Sequence, residues 1–547
     1  MSLSLRETDQ PSRQELLDRL QTDELFDIVV IGGGATGLGV AVDAASRGFT
    51  TALFEAEDFA KGTSSRATKL IHGGVRYLAQ GNLSLVREAL QERKLLLANA
   101  AHLAQPLAFV VPAYGACGRV WDLPRYRLGL GLYDLLAGGS RLGPTRCLSR
   151  QALMKQSPMI QTDRLVGGVQ YWDGQCDDAR LAVALARTAI RSGGCVLNYC
   201  RVAKLLYAGS SSSGRRLDGV VVEDRETGRV IPVRARCVIN ATGVWVDAIR
   251  RFDEPSAKDI VFPSQGVHLV VDREFFPSTQ ALLVPETSDG RVLFAVPWLG
   301  KVILGTTDTP RQDLPLEPRP FAEEIDFILD EAARYLARAP SRADIRSAWA
   351  GLRPLVRQTD RRATESKRLS REHLIVVSKD GLVTVTGGKW TTYRAMAEDV
   401  LAACFSRALL PSRPAGATRS LRLVGAPALA GSLDSLAAPP GLHLYGTEAH
   451  IIATLPGSDR ALLPGLTEAM VRFAVRYEYG RSVEDILARR SRWLFLDAQQ
   501  ATDAASEVGR IMRDEMGPPF NADESTAAFC RLAEGYRVPP LNCGTRT

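Results

Sequence analysis

FDIVVIGGGATGLGVAVDAASRGFTTALFEAED, residues 26–58, reads as strand, glycine turn, helix and strand. Residues 27–31 are a short β-branched run, as a parallel strand buried on both faces requires. Ala41, Ala44 and Ala45 give the helix a face small enough to lie close on a sheet. Residues 51–54 form the second strand, which ends at Glu55. Within this βαβ unit Gly32, Gly34 and Gly37 fit GxGxxG. The bare pattern is weak, because glycine-rich turns are common. Its place between a strand and a helix, with an acid eighteen residues after Gly37, gives it weight. Gly32 makes the turn, Gly34 admits a pyrophosphate, and Gly37 lets helix and strand pack closely. The helix N-terminus turns amide N–H groups and a positive dipole end toward phosphates. Glu55 is placed for the adenosine ribose hydroxyls, and an acid there disfavours a 2′-phosphate. Dinucleotide binding follows.

The chain of 547 residues is too long for one core and implies two or three domains. Its 45% hydrophobic and 24% charged residues are ordinary for a soluble globular protein. A net charge of +7 is too mild and too dispersed for a nucleic-acid partner, and fits an anionic small substrate or an anionic membrane surface. Nine cysteines without a CxxC pair read as reduced thiols in a cytosolic chain. The first 26 residues have no apolar h-region, so no secretory signal is expected. No run approaches 18 uncharged apolar residues, so no membrane span is expected and peripheral attachment stays open.

Beyond the βαβ unit, residues 84–104 have helical periodicity and PLAFVVPAYG follows as a strand. A small-residue helix, DDARLAVALARTAIRSGG, leads into VAKLLYA, GVVVEDRE and RVIPVRARCVINATG, a three-stranded meander. Residues 261–310 are strand-rich, a charged helix spans about 320–339, and SAWAGLRPLV and HLIVVSKDGLVTVTGGKW follow. Residues 419–441 resemble a linker, and the tail from about 442 is helical and arginine-bearing. Glycine-rich turns recur at strand ends: INATG, with Ala241 and Gly243; LGTTD, with Thr307 and Asp308; and VTGGKW, with Gly388 and Lys389. A long flavin dinucleotide needs backbone donors from several distant segments, and these turns offer them.

TSSRATKLIHGGVRYL, CDDARL, NATGVW, GTTD, GLRPL and GGKWTTYR occur in that order. With them the chain resembles the FAD-dependent, respiratory, quinone-linked glycerol-3-phosphate dehydrogenases, within the glycine-oxidase-like flavoproteins. The likeness covers roughly residues 25–400 and continues loosely into the tail. It implies an α/β fold: a Rossmann-like FAD-binding domain (25–120, 171–250 and 346–405), an inserted antiparallel β-sheet substrate domain (251–345) and a C-terminal helical cap (442–547). The remaining insert, 121–170, is a possible membrane-contact region. The implied reaction oxidises sn-glycerol 3-phosphate to dihydroxyacetone phosphate, with a membrane quinone as acceptor. The implied setting is the anionic inner-membrane surface, with peripheral attachment from the cytoplasm, and a homodimer is left open.

Matching motifs place Arg76, Tyr77, His268, Arg353, Arg371 and Lys389 at the substrate. Arg353, Arg371 and Lys389 meet its charge, since a planar guanidinium suits phosphate. Arg76 is a second clamp or an orienter, and His268 is the expected base because an imidazole titrates near working pH, an arginine base being the alternative; His268, Arg353 and Arg76 are the implied catalytic set. Ser64, Ser65, Leu70, His72, Gly73, Gly74 and Thr391 join the FAD contacts, with Gly73 and Gly74 stripping side chains where backbone lies against the flavin ring. Gln265 departs from the pattern, standing where many members carry lysine; either substrate binding weakens or the side chain faces away. His72 lacks a ligand partner at metal spacing, so no metal is expected. Cys176 has no resolving partner and reads as inert, and Asp177 and Asp178 read as helix caps. RVWDLPRYRLGLGLYDLL, residues 119–136, suits either a bilayer interface or a core helix with extended arginines, and the arginine-rich tail is a second candidate lipid surface. The rival readings are an oxygen-using glycerol-3-phosphate oxidase, an amine or amino-acid oxidase, and a non-catalytic flavoprotein.

Overall fold

The computed structural model describes residues 10–22, 24–73, 83–115, 122–209, 215–356, 373–428 and 433–539. Strands β1 (Phe26–Ile31) and β2 (Thr51–Phe54) pair in parallel and are joined by helix Ala35–Ser46, as the βαβ pattern predicts. On the other side of β1 lie β10 (Val230–Asn240), also parallel, then β18 (Leu382–Gly387) and the antiparallel edge strand β17 (His373–Val377). Beyond β2 the sheet ends in β7 (Cys195–Leu197). Strands β8 (Cys200–Ala208) and β9 (Arg216–Asp224) fold with β10 into the expected meander. Ile28, Val29 and Val30 are fully buried, which is why this strand carries no polar alternation. Helix Tyr393–Ser406 crosses helix Ala35–Ser46 at Gly39, where a Cβ would fall 2.7 Å from the Tyr393 ring. Because β2 and β10 flank β1 on opposite sides, the sheet opens a crevice at its carboxyl edge.

The second sheet has ten strands. Its main path runs β15 (Thr309–Pro310), β11 (Val261–Asp272), β14 (Lys301–Gly305), β13 (Leu293–Trp298), β12 (Ala281–Val284), β4 (Ala104–Tyr114), β6 (Leu165–Cys176) and β3 (Leu70–Ile71). Strand β16 (Ile345–Val356) pairs with β11, and β5 (Arg146–Ser149) pairs with β6. This sheet is larger than the expected 251–345 unit. Strands β3, β4 and β16, read from sequence as parts of the dinucleotide-binding segments, belong to it. Alternation marks a strand but not its partner, and β4 finds β12 and β6 rather than the first sheet.

Helices Glu468–Tyr477, Ala498–Met516 and Ala522–Glu534 pack around Phe473, Val508, Ile511, Met512 and Phe529 to form the C-terminal region. Its arginines do not form the expected lipid-facing surface at residues 489–492. Arg489, Arg490 and Arg492 are buried and paired with carboxylates of the dinucleotide-binding region. In helix Asp122–Ala137, Leu130, Tyr133 and Ala137 are buried, whereas Leu132 and Leu135 are exposed. Among the described residues no helix is long and apolar enough to cross a membrane.

Candidate active site

Five chain segments meet at the carboxyl edge of the first sheet. At the end of β1, a Cβ on Gly32 would lie 2.7 Å from the Ala241 carbonyl, and its φ is +110°. A Cβ on Gly37 would fall 2.0 Å from the Gly32 carbonyl, so any side chain there separates helix from turn. Gly34 caps the helix without a side-chain hydrogen bond, and Ala35 N donates to Ser64 Oγ at 2.9 Å. At the end of β2, Glu55 accepts from Gly33 N at 2.6 Å and Glu57 N at 2.9 Å. Burial pushes that carboxyl up, and the two amide donors oppose the shift. Gly243 follows β10 with nothing within 4 Å of where a Cβ would sit, so backbone there faces open space. Past β18, Trp390 Nε1 donates to Ser64 O at 2.8 Å and Thr391 Oγ1 to His72 O at 3.3 Å, tying the segment of Gly388 and Lys389 to residues 64–72. Glycine turns, an open carboxyl edge and a helix N-terminus fit a dinucleotide.

The second sheet supplies the facing wall. His268 on β11 lies between Gly305 of β14 and Trp349 of β16. Its Nε2 is 2.9 Å from Thr68 Oγ1 and its ring stacks on Trp349 at 5.3 Å. Its buried Nδ1 has no hydrogen-bond partner among the described residues. Arg353 on β16 donates from Nη1 to Thr307 O (3.0 Å) and Asp308 Oδ1 (3.2 Å), and from Nη2 to Thr306 Oγ1 (2.9 Å).

Comparison with known proteins places this geometry. Residues 27–394 match the FAD dependent oxidoreductase family, and residues 387–519 match the C-terminal domain of alpha-glycerophosphate oxidase. The chain is 42% identical over 539 residues to mitochondrial glycerol-3-phosphate dehydrogenase of Macaca fascicularis, covering 92% of this chain and 72% of that one. It is 41% identical to the Homo sapiens protein of the same name, with the same coverage. It also matches the crystal structure of glycerol-3-phosphate dehydrogenase from Bacillus halodurans complexed with FAD, at 28% identity and TM-score 0.75, covering 97% of this chain and 99% of that one.

The chain belongs to the FAD-dependent glycerol-3-phosphate dehydrogenase family.

FAD is its cofactor. In this family member several site residues have partners that the sequence reading did not name. Burial, then the charges of Lys69 and Arg353, push the His268 imidazole well below its ordinary value. Thr307 and Asp308 have protein partners for their side chains. The Thr307 hydroxyl donates to Glu324 (2.9 Å) and accepts from Val267 N (3.0 Å), while Asp308 is held by Ser264 and Arg353. Gly73 is approached by a tyrosine: its N–H donates to Tyr133 Oη at 3.0 Å, and a Cβ there would fall 2.3 Å from that oxygen. Gln265 faces away from His268's neighbourhood in its bonding, donating to Glu324 (2.7 Å) and accepting from Arg311 (2.6 Å). Leu70 pairs in β3 and Ser65 is buried, its carbonyl accepting from Lys69 at 2.7 Å. Gly74, Arg76, Tyr77 and Arg371 lie outside the described residues.

The capping reading holds for Asp177 alone, since Asp178 pairs with Lys69 and Arg492. Asp177 caps helix Asp178–Arg191 by accepting from Arg180 N, and Cys176 is a buried thiol that burial pushes well up. Lys69, Thr68 and Trp349 were missed. Lys69 is fully buried against Asp178 (2.7 Å) and boxed by the rings of Trp298, Trp349 and Phe495 at 5.2–5.3 Å. A lysine between Thr68 and Leu70 in an apolar run was the available signal, but its carboxylate is 109 positions away.

Proposed function

We propose that this protein oxidises sn-glycerol 3-phosphate to dihydroxyacetone phosphate, with a membrane quinone as electron acceptor. The observation that carries the reading is that His268 and Arg353 stand on paired strands bonded through Thr68 and Thr63 to the loop beside the dinucleotide turn, in a chain whose relatives bear that enzyme's name. When bound, FAD supplies two-electron oxidation by accepting a hydride at N5; Gly32, Gly34, Gly37, Glu55, Ser64, Ala241, Gly243 and Gly388 would hold it. Arg353, fixed in orientation by Thr306, Thr307 and Asp308, meets the substrate's phosphate together with Arg76, Arg371 and Lys389. His268, held by Thr68 at Nε2 and stacked on Trp349, is the base for the proton of the C2 hydroxyl.

Anaerobic mixing of the holoprotein with sn-glycerol 3-phosphate should bleach the flavin band near roughly 450 nm. No bleaching would overturn the substrate reading. The match to the C-terminal domain of alpha-glycerophosphate oxidase favours a second acceptor, oxygen. Stoichiometric peroxide that a quinone analogue does not suppress would select it.

Attachment to an anionic membrane face from the cytoplasm is part of the same proposal. What supports it is a groove between helices Leu83–Asn99 and Asp122–Ala137, where Arg87 and Lys94 flank Leu95 and the exposed Leu135. Leu135→Glu should lower co-sedimentation with anionic liposomes at low salt at least severalfold. Equal binding by variant and parent would remove this face from the proposal.

A further inference from the structure

The loop that follows β2, residues 55–69, has two neighbours. On one side it closes on the glycine turn. Gly33 N donates to Glu55 Oε2 at 2.6 Å, Ala60 N donates to Gly33 O at 3.0 Å, and Ala35 N donates to Ser64 Oγ at 2.9 Å. A Cβ on Gly33 would fall 2.8 Å from Glu55 Cβ and 3.0 Å from the Phe59 ring. The loop is therefore one wall of the dinucleotide turn.

On its other side the C-terminal region grips the same loop. Asp58, fully buried, accepts from both Arg489 and Arg490, the latter donating from Nη2 to Oδ1 at 3.0 Å. Lys61 pairs with Glu484 at 2.6 Å. Arg492 Nη2 donates to Ser65 O at 2.9 Å. These residues come from one π-helical turn, Asp485–Arg490, and the positions beside it. In an ordinary helix neighbouring side chains point about 100° apart; here two consecutive arginines reach one carboxylate. Asp58, Glu484 and Asp485 face Lys61, Arg489 and Arg490, three carboxylates against three cations.

As adhesive this junction is inefficient, since buried ion pairs lose much of their attraction to desolvation and an apolar seam of equal volume is often as stable. What charge-assisted bonds add is direction. We propose that the C-terminal region is a clamp for the cofactor: Arg489, Arg490, Arg492 and Glu484 are positioning residues that hold the 55–69 loop closed on the Gly32–Gly37 turn. FAD affinity and order in residues 484–493 are then one coupled equilibrium. Linkage requires the coupling to run both ways, so FAD must steady the π-helical turn by the factor with which the turn tightens FAD.

Hydrogen exchange on the holoprotein and on flavin-stripped protein tests this without a variant. FAD should slow amide exchange in residues 484–493 as well as at the glycine turn, and exchange there that ignores FAD would overturn the clamp. Titration of stripped protein with FAD, read by flavin fluorescence, supplies the second arm. Glu484→Gln should weaken the FAD dissociation constant by about 5- to 30-fold. Glu448→Gln breaks a different buried pair of the same seam, with Arg187 at 2.6 Å and away from the loop, and should lower thermal stability while leaving FAD affinity within about twofold of the parent. Equal loss of affinity in both variants, or none in Glu484→Gln, would reduce the seam to an ordinary domain contact. If Glu484→Gln does not fold, the exchange measurement decides.

Discussion

His268→Asn should lower kcat by about two to three orders of magnitude with FAD still bound. The imidazole sits in the middle of β11, stacked on Trp349 and fixed at Nε2 by Thr68, so its orientation is set before any substrate arrives. Asparagine can accept a hydrogen bond but cannot accept a proton. None of the carboxyl-edge residues that fit the dinucleotide bonds to His268, so flavin content should hold. Because burial and the charges of Lys69 and Arg353 keep the imidazole well below its ordinary value, the parent enzyme's kcat should show no inflection near about pH 6.5 from this residue. The measurement is steady-state turnover between about pH 6 and 9 alongside the flavin-to-protein absorbance ratio. Full turnover across that range would remove His268 from proton chemistry, and loss of flavin would make it a cofactor support instead.

How much of this was legible beforehand depends on the range over which each signal acts. The first sheet could be read strand by strand, because Gly32, Gly37 and the β-branched run of β1 answer to neighbours a few residues away. The meander β8–β9–β10 was equally plain from its turns. Membership of the second sheet was not, since nothing local in β4 tells which sheet it joins and only its partners, β12 and β6, decide. Charge misled for the same reason. Arg489 looked available to lipid because its carboxylate, Asp58, is 431 positions earlier. His268 was located by its motif, but its proton affinity depends on Lys69 and Arg353, which reach it only in three dimensions. At Gly73 a close approach was legible, but Tyr133, which makes it here, is 60 positions away.

The buried cluster under His268 yields the largest stability effect. Arg492 has no exposed surface; it donates to Asp178 at 3.0 Å and to the carbonyls of Ala488 and Ser65 at 2.9 Å, and lies 3.5 Å from Asp177. Arg492→Met leaves Asp177 without that cation and Asp178 with Lys69 alone, an uncompensated buried charge that costs about 3–5 kcal/mol. Lys69→Met should cost less, about 1–2 kcal/mol, because Arg492 still neutralises Asp178 and because the site already disfavours the ammonium. Burial pushes Lys69 down to about 8 from an ordinary 10.5. Between those values the unfolded chain holds a proton that the native protein has released, so this residue's contribution raises stability with pH across the window. It is complete above about 10.5 and is lost as pH falls through about 8. The penalty of Lys69→Met should therefore grow with pH over that interval, and that of Arg492→Met less steeply, because it keeps Lys69 and removes only one of the causes that lower it. Urea unfolding midpoints of parent and both variants at the two ends of the window make the comparison. A Lys69→Met penalty as large as that of Arg492→Met and flat with pH would mean that the ammonium, not the guanidinium, is the cation on which Asp178 depends.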